Sequence, residues 1–202
     1  MAFEYLKERL EKNHFSVSVF NTKEEAADYL DQAIDNMTIG TGDSLSLKEM
    51  GIYPRLATHN ELYLWDEDAE ESVYDQQMKD QMQTDIYLMS TNAIAEKNGE
   101  ILSMDGYGNR CSSSLFGHKK VYMIAGKNKV SPDLEQAMWR LRNVVAPKNA
   151  ERLKLHTPCA KEGKNCYDCF SPDRICNALV IHYKKIDSMD MEIILVNEDL
   201  GY

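Results

Sequence analysis

A chain of 202 residues with 43% hydrophobic and 28% charged residues can bury one core and lacks the apolar depletion that marks disorder. Its formal net charge of −10 sets an unpatterned surface against nucleic acid and anionic membrane, whose binding relies on Lys and Arg displacing counterions. No apolar run approaches the roughly 20 residues that span a bilayer, and the opening MAFEYLKERLEKNHF reads as a charged amphipathic helix rather than an export signal, so a single cytoplasmic domain over 1–202 is expected, with no nucleic-acid partner and no membrane insertion.

Residues 2–12 place Phe3, Leu6 and Leu10 at helical spacing. Val17, Val19 and Phe20 form a short β-type run, after which Asn21 and Thr22 offer caps for a helix carrying Ala26, Ala27, Leu30 and Ile34. A strand over 37–39 runs into Gly40-Thr41-Gly42-Asp43-Ser44, and Leu45, Leu47 and Met50 then restore the helical period up to Gly51. An acidic helix is predicted over 66–83 with Val73, Met78 and Met82 facing inward, followed by a strand over 85–89. Beyond the Asn98-Gly99 turn come a strand at 101–104, a short helix at 109–116, a buried strand at 121–125 and a helix at 133–145 that Pro147 stops. Two further strands, 178–182 and 191–196, close the chain. This alternation predicts an α/β fold, a mainly parallel sheet flanked by helices on both faces.

In such sheets, ligands sit beyond the carboxyl ends of the strands, where a tight turn and a helix N-terminus present backbone N–H groups to negative charge. Gly40 to Ser44 occupies such a place: Gly40 and Gly42 permit close backbone approach, Thr41 and Ser44 bring hydroxyls, and Asp43 can cap the next helix. A plain strand-to-helix turn capped by Asp43 accounts for the same residues.

The central segment holds Ser90-Thr91-Asn92-Ala93-Ile94-Ala95, then Gly99-Glu100-Ile101, then Asp105-Gly106-Tyr107-Gly108-Asn109-Arg110, small and polar residues where a bland core needs none. With Gly126-Lys127-Asn128-Lys129-Val130 after the next strand, the chain resembles the lactate-utilization (LUD, YkgG-like) family, whose pattern is NA(I/L), G.I, DG.GNR and G.NK(I/V). The resemblance implies a fold like the ribose-phosphate isomerase and coenzyme A transferase group. It also implies a part in oxidising L-lactate to pyruvate beside iron–sulfur partner subunits, and it assigns no nucleophile. Among these residues, Arg110 can hold a carboxylate or phosphate bidentately, with Asn92 and Asn109 orienting it. Asp105 suits a turn cap or a partner for Arg110, with general-base chemistry as the alternative. Lys127, after Gly126, reaches the same pocket or stays a solvated lysine, and Cys111 reads as a small buried apolar residue rather than a thiolate nucleophile.

The last chemical feature spans 156–177, where Cys159, Cys166, Cys169 and Cys176 follow C-x6-C-x2-C-x6-C. A C-x2-C pair lets two thiolates converge on one metal and the longer arms let two more close the site, in a loop with little apolar surface to bury free thiols. The spacing resembles the iron–sulfur loop of base-excision DNA glycosylases, with one residue more in the last arm, so a 4Fe-4S cluster is the first expectation and electron transfer its use. Zinc, which has no redox chemistry, is the alternative, and a Cys166–Cys169 dithiol switch comes third. His156 is read as a neighbour of the site rather than a ligand.

Together these features predict a subunit of an iron–sulfur-dependent L-lactate or 2-hydroxy acid oxidation system that binds an anionic small molecule. Two alternatives stand: a transferase or isomerase acting on a phosphorylated or coenzyme A-linked metabolite, with Asp43, Glu49 or Asp105 as its acid, and an assembly module stiffened by a zinc loop.

Overall fold

The computed structural model describes residues 3–64 and 70–202. Helix α1 (Glu4–Lys12) buries Leu6 and Leu10 and leaves its charged face to solvent. Strand β1 (Ser16–Phe20) leads to α2 (Lys23–Ala33), where Thr22 Oγ1 accepts from Glu25 N at 3.2 Å and the Glu25 carboxylate accepts from Asn21 N at 2.8 Å. Strand β2 (Thr38–Thr41) takes Gly40 and Thr41 into the sheet, beyond the end of its apolar run. The next helix, α3 (Leu45–Glu49), is capped by Ser44, whose Oγ accepts from Leu47 N at 3.2 Å. Asp43, expected in that role, is held instead by Arg152 and Lys48, two cations that outbid a backbone N–H for a carboxylate.

Helix α4 (Ile52–Leu56) and strand β3 (Glu61–Tyr63) are too short to show a period in the sequence and were not predicted. Helix α5 (Glu71–Gln81) is shorter than the expected 66–83, of which 66–69 lie outside the described residues. It lies along β2 and β3 with Met78 buried, while Val73 and Met82 are 47% and 37% exposed, so the inward stripe is narrower than expected. Then follow β4 (Ile86–Ser90), β5 (Ala93–Ala95), β6 (Glu100–Asp105), α6 (Asn109–Ser113), β7 (Lys120–Gly126), a 3₁₀ turn over Lys127–Lys129 and β8 (Val130–Ser131). Helix α7 (Leu134–Arg140) is not stopped by Pro147: a π turn, Leu141–Val145, carries it into α8 (Ala146–Arg152). Pro147 sits in the first turn of α8, where a missing N–H is tolerated. A 3₁₀ turn over Pro158–Lys161 opens the cysteine loop, and β9 (Ala178–His182) and β10 (Asp190–Val196) follow it.

Among the described residues the strands form two sheets. One is six-stranded and all parallel, in the order β1-β10-β7-β4-β2-β3; the other, β8-β5-β6-β9, mixes parallel and antiparallel pairs. Because side chains alternate along a strand, the central strands of the parallel sheet feed two cores. Leu88, Ile124, Ile194 and Val196 meet Ala26, Leu30, Leu47 and Ile52 on one face. Tyr87, Met89, Met123, Ile193 and Leu195 meet Leu6 and Leu10 of α1 on the other, together with Ile94 and Ile101 of the second sheet. The second sheet's far side is closed by Ala137 and Leu141 against Ala93, Ala95 and Leu102. Each fully buried Leu or Ile contributes roughly 1.5–3 kcal/mol, so the stacking of the second sheet on the first is driven by these apolar faces. Among the described residues no helix is long and apolar enough to cross a membrane.

Candidate functional site

All strands of the larger sheet point one way, so the chain leaves β2, β4, β7 and β10 on a shared edge. A cavity of about 640 Å³ opens there. Its floor is the entry to α3 (Asp43 to Ser46), Ser90 at the end of β4 and Asn92 just past it, Lys129 after β7, and Gly201 and Tyr202. One wall runs from Met104 to Arg110. The other combines Leu141 and Val145 of the π turn with Asn149 and Arg152 of α8, and Pro172 to Ile175 of the cysteine loop complete the ring.

Of the residues singled out in the sequence, Asp43, Ser44, Asn92, Asp105, Gly106, Asn109 and Arg110 line this cavity. Ser44 Oγ also donates to Ser90 Oγ at 3.0 Å, and Asn92 Oδ1 accepts from Met104 N at 2.7 Å, so both polar side chains are fixed to the ends of strands. Asp105 does what a cap does: its Oδ2 accepts from Arg110 N at 2.9 Å and Cys111 N at 3.2 Å, while Oδ1 lies 3.5 Å from the Arg110 guanidinium. Arg110 NH2 also donates to Met104 O at 2.5 Å. The stem of Arg110 passes over Gly42, where a Cβ would collide with Cγ and Cδ of the arginine.

Gly42 therefore shapes the site without lining it. Gly40 is inside β2 against Gln81 and Tyr87, Thr41 Oγ1 donates to Gly42 O at 3.0 Å, and Gly108 precedes α6; none of the three lines the cavity. Lys127 is exposed and does not line it either. Glu49, another candidate acid, accepts from Gly201 N at 2.8 Å outside the cavity lining. Cys111 is buried, donates to Ser103 O at 3.5 Å, and has its thiol pushed up to about 11 by burial, which leaves it a neutral small side chain.

The cations that sequence reasoning missed are Lys129, Arg152 and Arg174. The 3₁₀ turn after β7 sends Lys127 out and Lys129 in, and Asn128 between them holds the chain end, accepting from Leu200 N at 3.1 Å and donating to Gly201 O at 3.1 Å. Lys129 is 3% exposed, and its Nζ donates to Ser46 Oγ at 2.8 Å. Burial, reinforced by the charges of Arg140 and Arg110, pulls its amine down to about 7. Arg152 binds Asp43; burial pushes that carboxyl up, but Arg152 and Lys48 outweigh it and hold the group below the usual carboxylate range. The G.NK segment flagged a lysine, whereas nothing in the sequence marked Arg152.

The cysteine loop is held to the cavity wall from both ends. Gly106 lets Ile175 approach so closely that a Cβ at 106 would stand 2.8 Å from Ile175 O, and Asn177 N donates to Asp105 O at 3.1 Å. At the other end Cys166 N donates to Asn143 Oδ1 at 3.0 Å, in the π turn. Cationic donors reach the sulfurs: Arg142 NH2 lies 3.5 Å from Cys166 Sγ and Arg174 Nε 3.1 Å from Cys176 Sγ, while Arg174 NH1 donates to Cys169 O at 3.0 Å. The charge of Arg142 also acts on Cys176, and that of Arg174 on Cys169. Cys159 Sγ is 3.3 Å from Thr157 Oγ1. All four thiols are partly buried, and among the described residues no three His, Cys, Asp or Glu side chains are gathered in a metal-holding arrangement. His156 is 94% exposed in its side chain and pairs with Asp173 at 3.0 Å.

Comparison with known proteins places this architecture. The chain is similar to a solved DUF162 family protein from Deinococcus radiodurans, with a TM-score of 0.52 and 11% identity over 96% of this chain and 95% of that one, a likeness of fold. No curated protein matches. The profile described as LUD domain matches residues 3–196, from the start of α1 to the end of β10, and on that match the chain belongs to the LUD domain family.

Proposed function

We propose that this chain is the anion-binding subunit of an iron–sulfur-dependent system oxidising L-lactate or a related 2-hydroxy acid, working beside iron–sulfur partner subunits in the cytoplasm. One observation carries the reading: the loop with four thiols and the strand ends bearing Arg110 form the walls of one cavity, with Arg174 lining it while bonded to Cys176. A small carboxylate fits a pocket of about 640 Å³ that offers the guanidinium groups of Arg110, Arg152 and Arg174 in an otherwise acidic chain. Cys159, Cys166, Cys169 and Cys176 would hold the cluster, a set of soft donors suited to iron or zinc. Arg142 NH2, 3.5 Å from Cys166 Sγ, and Arg174 Nε, 3.1 Å from Cys176 Sγ, place cationic donors against two of the four sulfurs. A bound cluster supplies one-electron transfer; the chain's own groups bind and orient the acid.

A transferase or isomerase reading is weaker because its candidate acids are occupied: Asp43 by Arg152, Asp105 by the α6 N-terminus, and Glu49 by Gly201 N. Anaerobic purification followed by visible absorbance and analysis of iron, zinc and acid-labile sulfide tests the loop. A brown protein with iron and sulfide is expected, zinc would shift the loop to a structural role, and a colourless metal-free protein would sink both. Calorimetric titration with L-lactate, pyruvate and inorganic phosphate tests the cavity; no heat from any of the three would remove the anion site.

A further inference from the structure

Lys129 occupies a position that works against a lysine used as a plain positive anchor. It is almost wholly buried, it lines the cavity, and among the described residues it forms no ion pair. Its polar partner is the Ser46 hydroxyl at 2.8 Å, and that hydroxyl donates its own proton to Leu200 O at 3.3 Å. The charged groups that act on the amine come from three elements: Arg110 of α6 and Arg140 of α7 disfavour the ammonium, and Glu49 of α3 favours it less strongly. Burial adds to the two arginines, and the amine is brought to about 7, so near neutral pH a large share of it carries a free electron pair. An anchor for an anion gains from the opposite arrangement, a carboxylate-supported ammonium. A neutral primary amine at the wall of a cavity is a nucleophile for carbonyl carbon.

Arg110 stands on the adjoining wall of the same cavity, and its charge is among those that act on Lys129. A guanidinium for a carboxylate and an amine for a carbonyl on the walls of one cavity match the two functional groups of a 2-oxo acid. We propose that Lys129 forms a reversible imine with the ketone of a small 2-oxo acid whose carboxylate is held by Arg110. The inference rests on the reading that the cavity takes small carboxylates, and it adds a covalent step to it. The Nζ electron pair adds to the ketone carbon and the carbonyl π pair moves to oxygen. One N–H proton passes to that oxygen, by way of the Ser46 hydroxyl, to give the carbinolamine. The carbon–oxygen bond then breaks as the C=N bond forms, and the second N–H proton leaves with the oxygen as water. Amine and ketone become imine and water, nothing is oxidised or reduced, and hydrolysis returns both.

The test uses the whole chain with pyruvate as probe. Pyruvate and sodium cyanoborohydride are added, the protein is digested, and the peptides are read by mass spectrometry. The expected result is a single dominant adduct on Lys129, heavier by the keto acid less one oxygen atom. Its yield should exceed that at exposed Lys127 by roughly tenfold or more, because an ordinary lysine is almost wholly protonated near pH 7. Excess L-lactate, which has the carboxylate but no ketone, should suppress it. Lys129→Met should abolish the adduct with the circular dichroism spectrum unchanged; should that variant fail to fold, the site of labelling in the native chain still decides. Calorimetry with pyruvate separates the two levels. Binding without an adduct on Lys129, or labelling spread evenly over exposed lysines, overturns the imine and leaves the carboxylate pocket standing, whereas neither binding nor labelling overturns both.

Discussion

Gly42 and Arg110 share one small volume, and that sharing turns a glycine of the turn into a determinant of the site. The residue has no backbone need that alanine could not meet, since its φ is not in the left-handed region; what forbids a Cβ is the arginine stem lying across it. Gly42→Ala should therefore swing Arg110 off Met104 O and out of the cavity wall, weakening carboxylate binding by about tenfold or more, the worth of a charge-assisted hydrogen bond. Arg110→Ala should match it, and Lys127→Ala should leave affinity unchanged in the same calorimetric titration. Equal affinity in all three variants would remove Arg110 from the site. At this scale the sequence was legible where chemistry is local, as in Asp105 capping the DG.GNR turn, and illegible where a three-residue turn decides which of two lysines, 127 or 129, faces inward.

Among the elements, the interior strands were readable because continuous apolar runs admit little else, whereas α4, β3 and β5 are too short to carry a period. The helix past Arg140 was misread for a different reason. The sequence reads Pro147 as a stop, but a π turn places it where its missing N–H costs least, and the same turn aims Arg142 and Asn143 at the cysteine loop. The joints beside β4 and β9 hold another consequence. His118 gives its Nδ1 proton to Thr84 O at 2.8 Å and His182 its Nε2 proton to Ser114 O at 3.0 Å, and the second nitrogen of each ring is buried without a partner among the described residues. Burial holds both rings neutral below their ordinary value of 6.5, against the smaller pull of the carbonyl bonds. At these two rings the unfolded chain therefore binds more protons than the folded one once pH drops below about 6.5, and the stability they contribute above that value is lost as pH falls toward the folded values. Urea unfolding at about pH 7.5 and pH 5.5 should show a lower midpoint in acid, with a slope of at most about 1.4 kcal/mol per pH unit for each ring. Replacing both histidines by Gln should reduce it, and an unchanged slope in that double variant would assign the acid sensitivity elsewhere.

At the scale of the whole molecule, strand–helix alternation was enough to foresee a parallel sheet covered on both faces. It was not enough to foresee the second sheet, whose strands pair across intervening segments: β6 with β9, and β5 with β8. That second sheet carries the wall from Met104 to Arg110, so the cavity depends on long-range pairing that no local pattern encodes. A loaded cysteine loop should add to global stability, because a metal that binds the folded loop and not the unfolded chain shifts the equilibrium by mass action. Chelator treatment should lower Tm, and Cys166→Ser should lower it similarly without further response to chelator; a Tm indifferent to both would speak against metal in the loop.

Arg174 has one guanidinium and two creditors. Its Nε serves the Cys176 sulfur while the side chain borders the space where a carboxylate would lie, so a change in electron density at the thiols alters how much positive potential remains for the guest. Should the loop hold metal and the cavity an acid, any coupling through Arg174 is reciprocal: the acid's affinity then changes between loaded and stripped thiols by the same factor as the thiols' hold on metal changes between empty and filled pocket. Arg174 is thus the side chain that borders the cavity and bonds a loop cysteine at once.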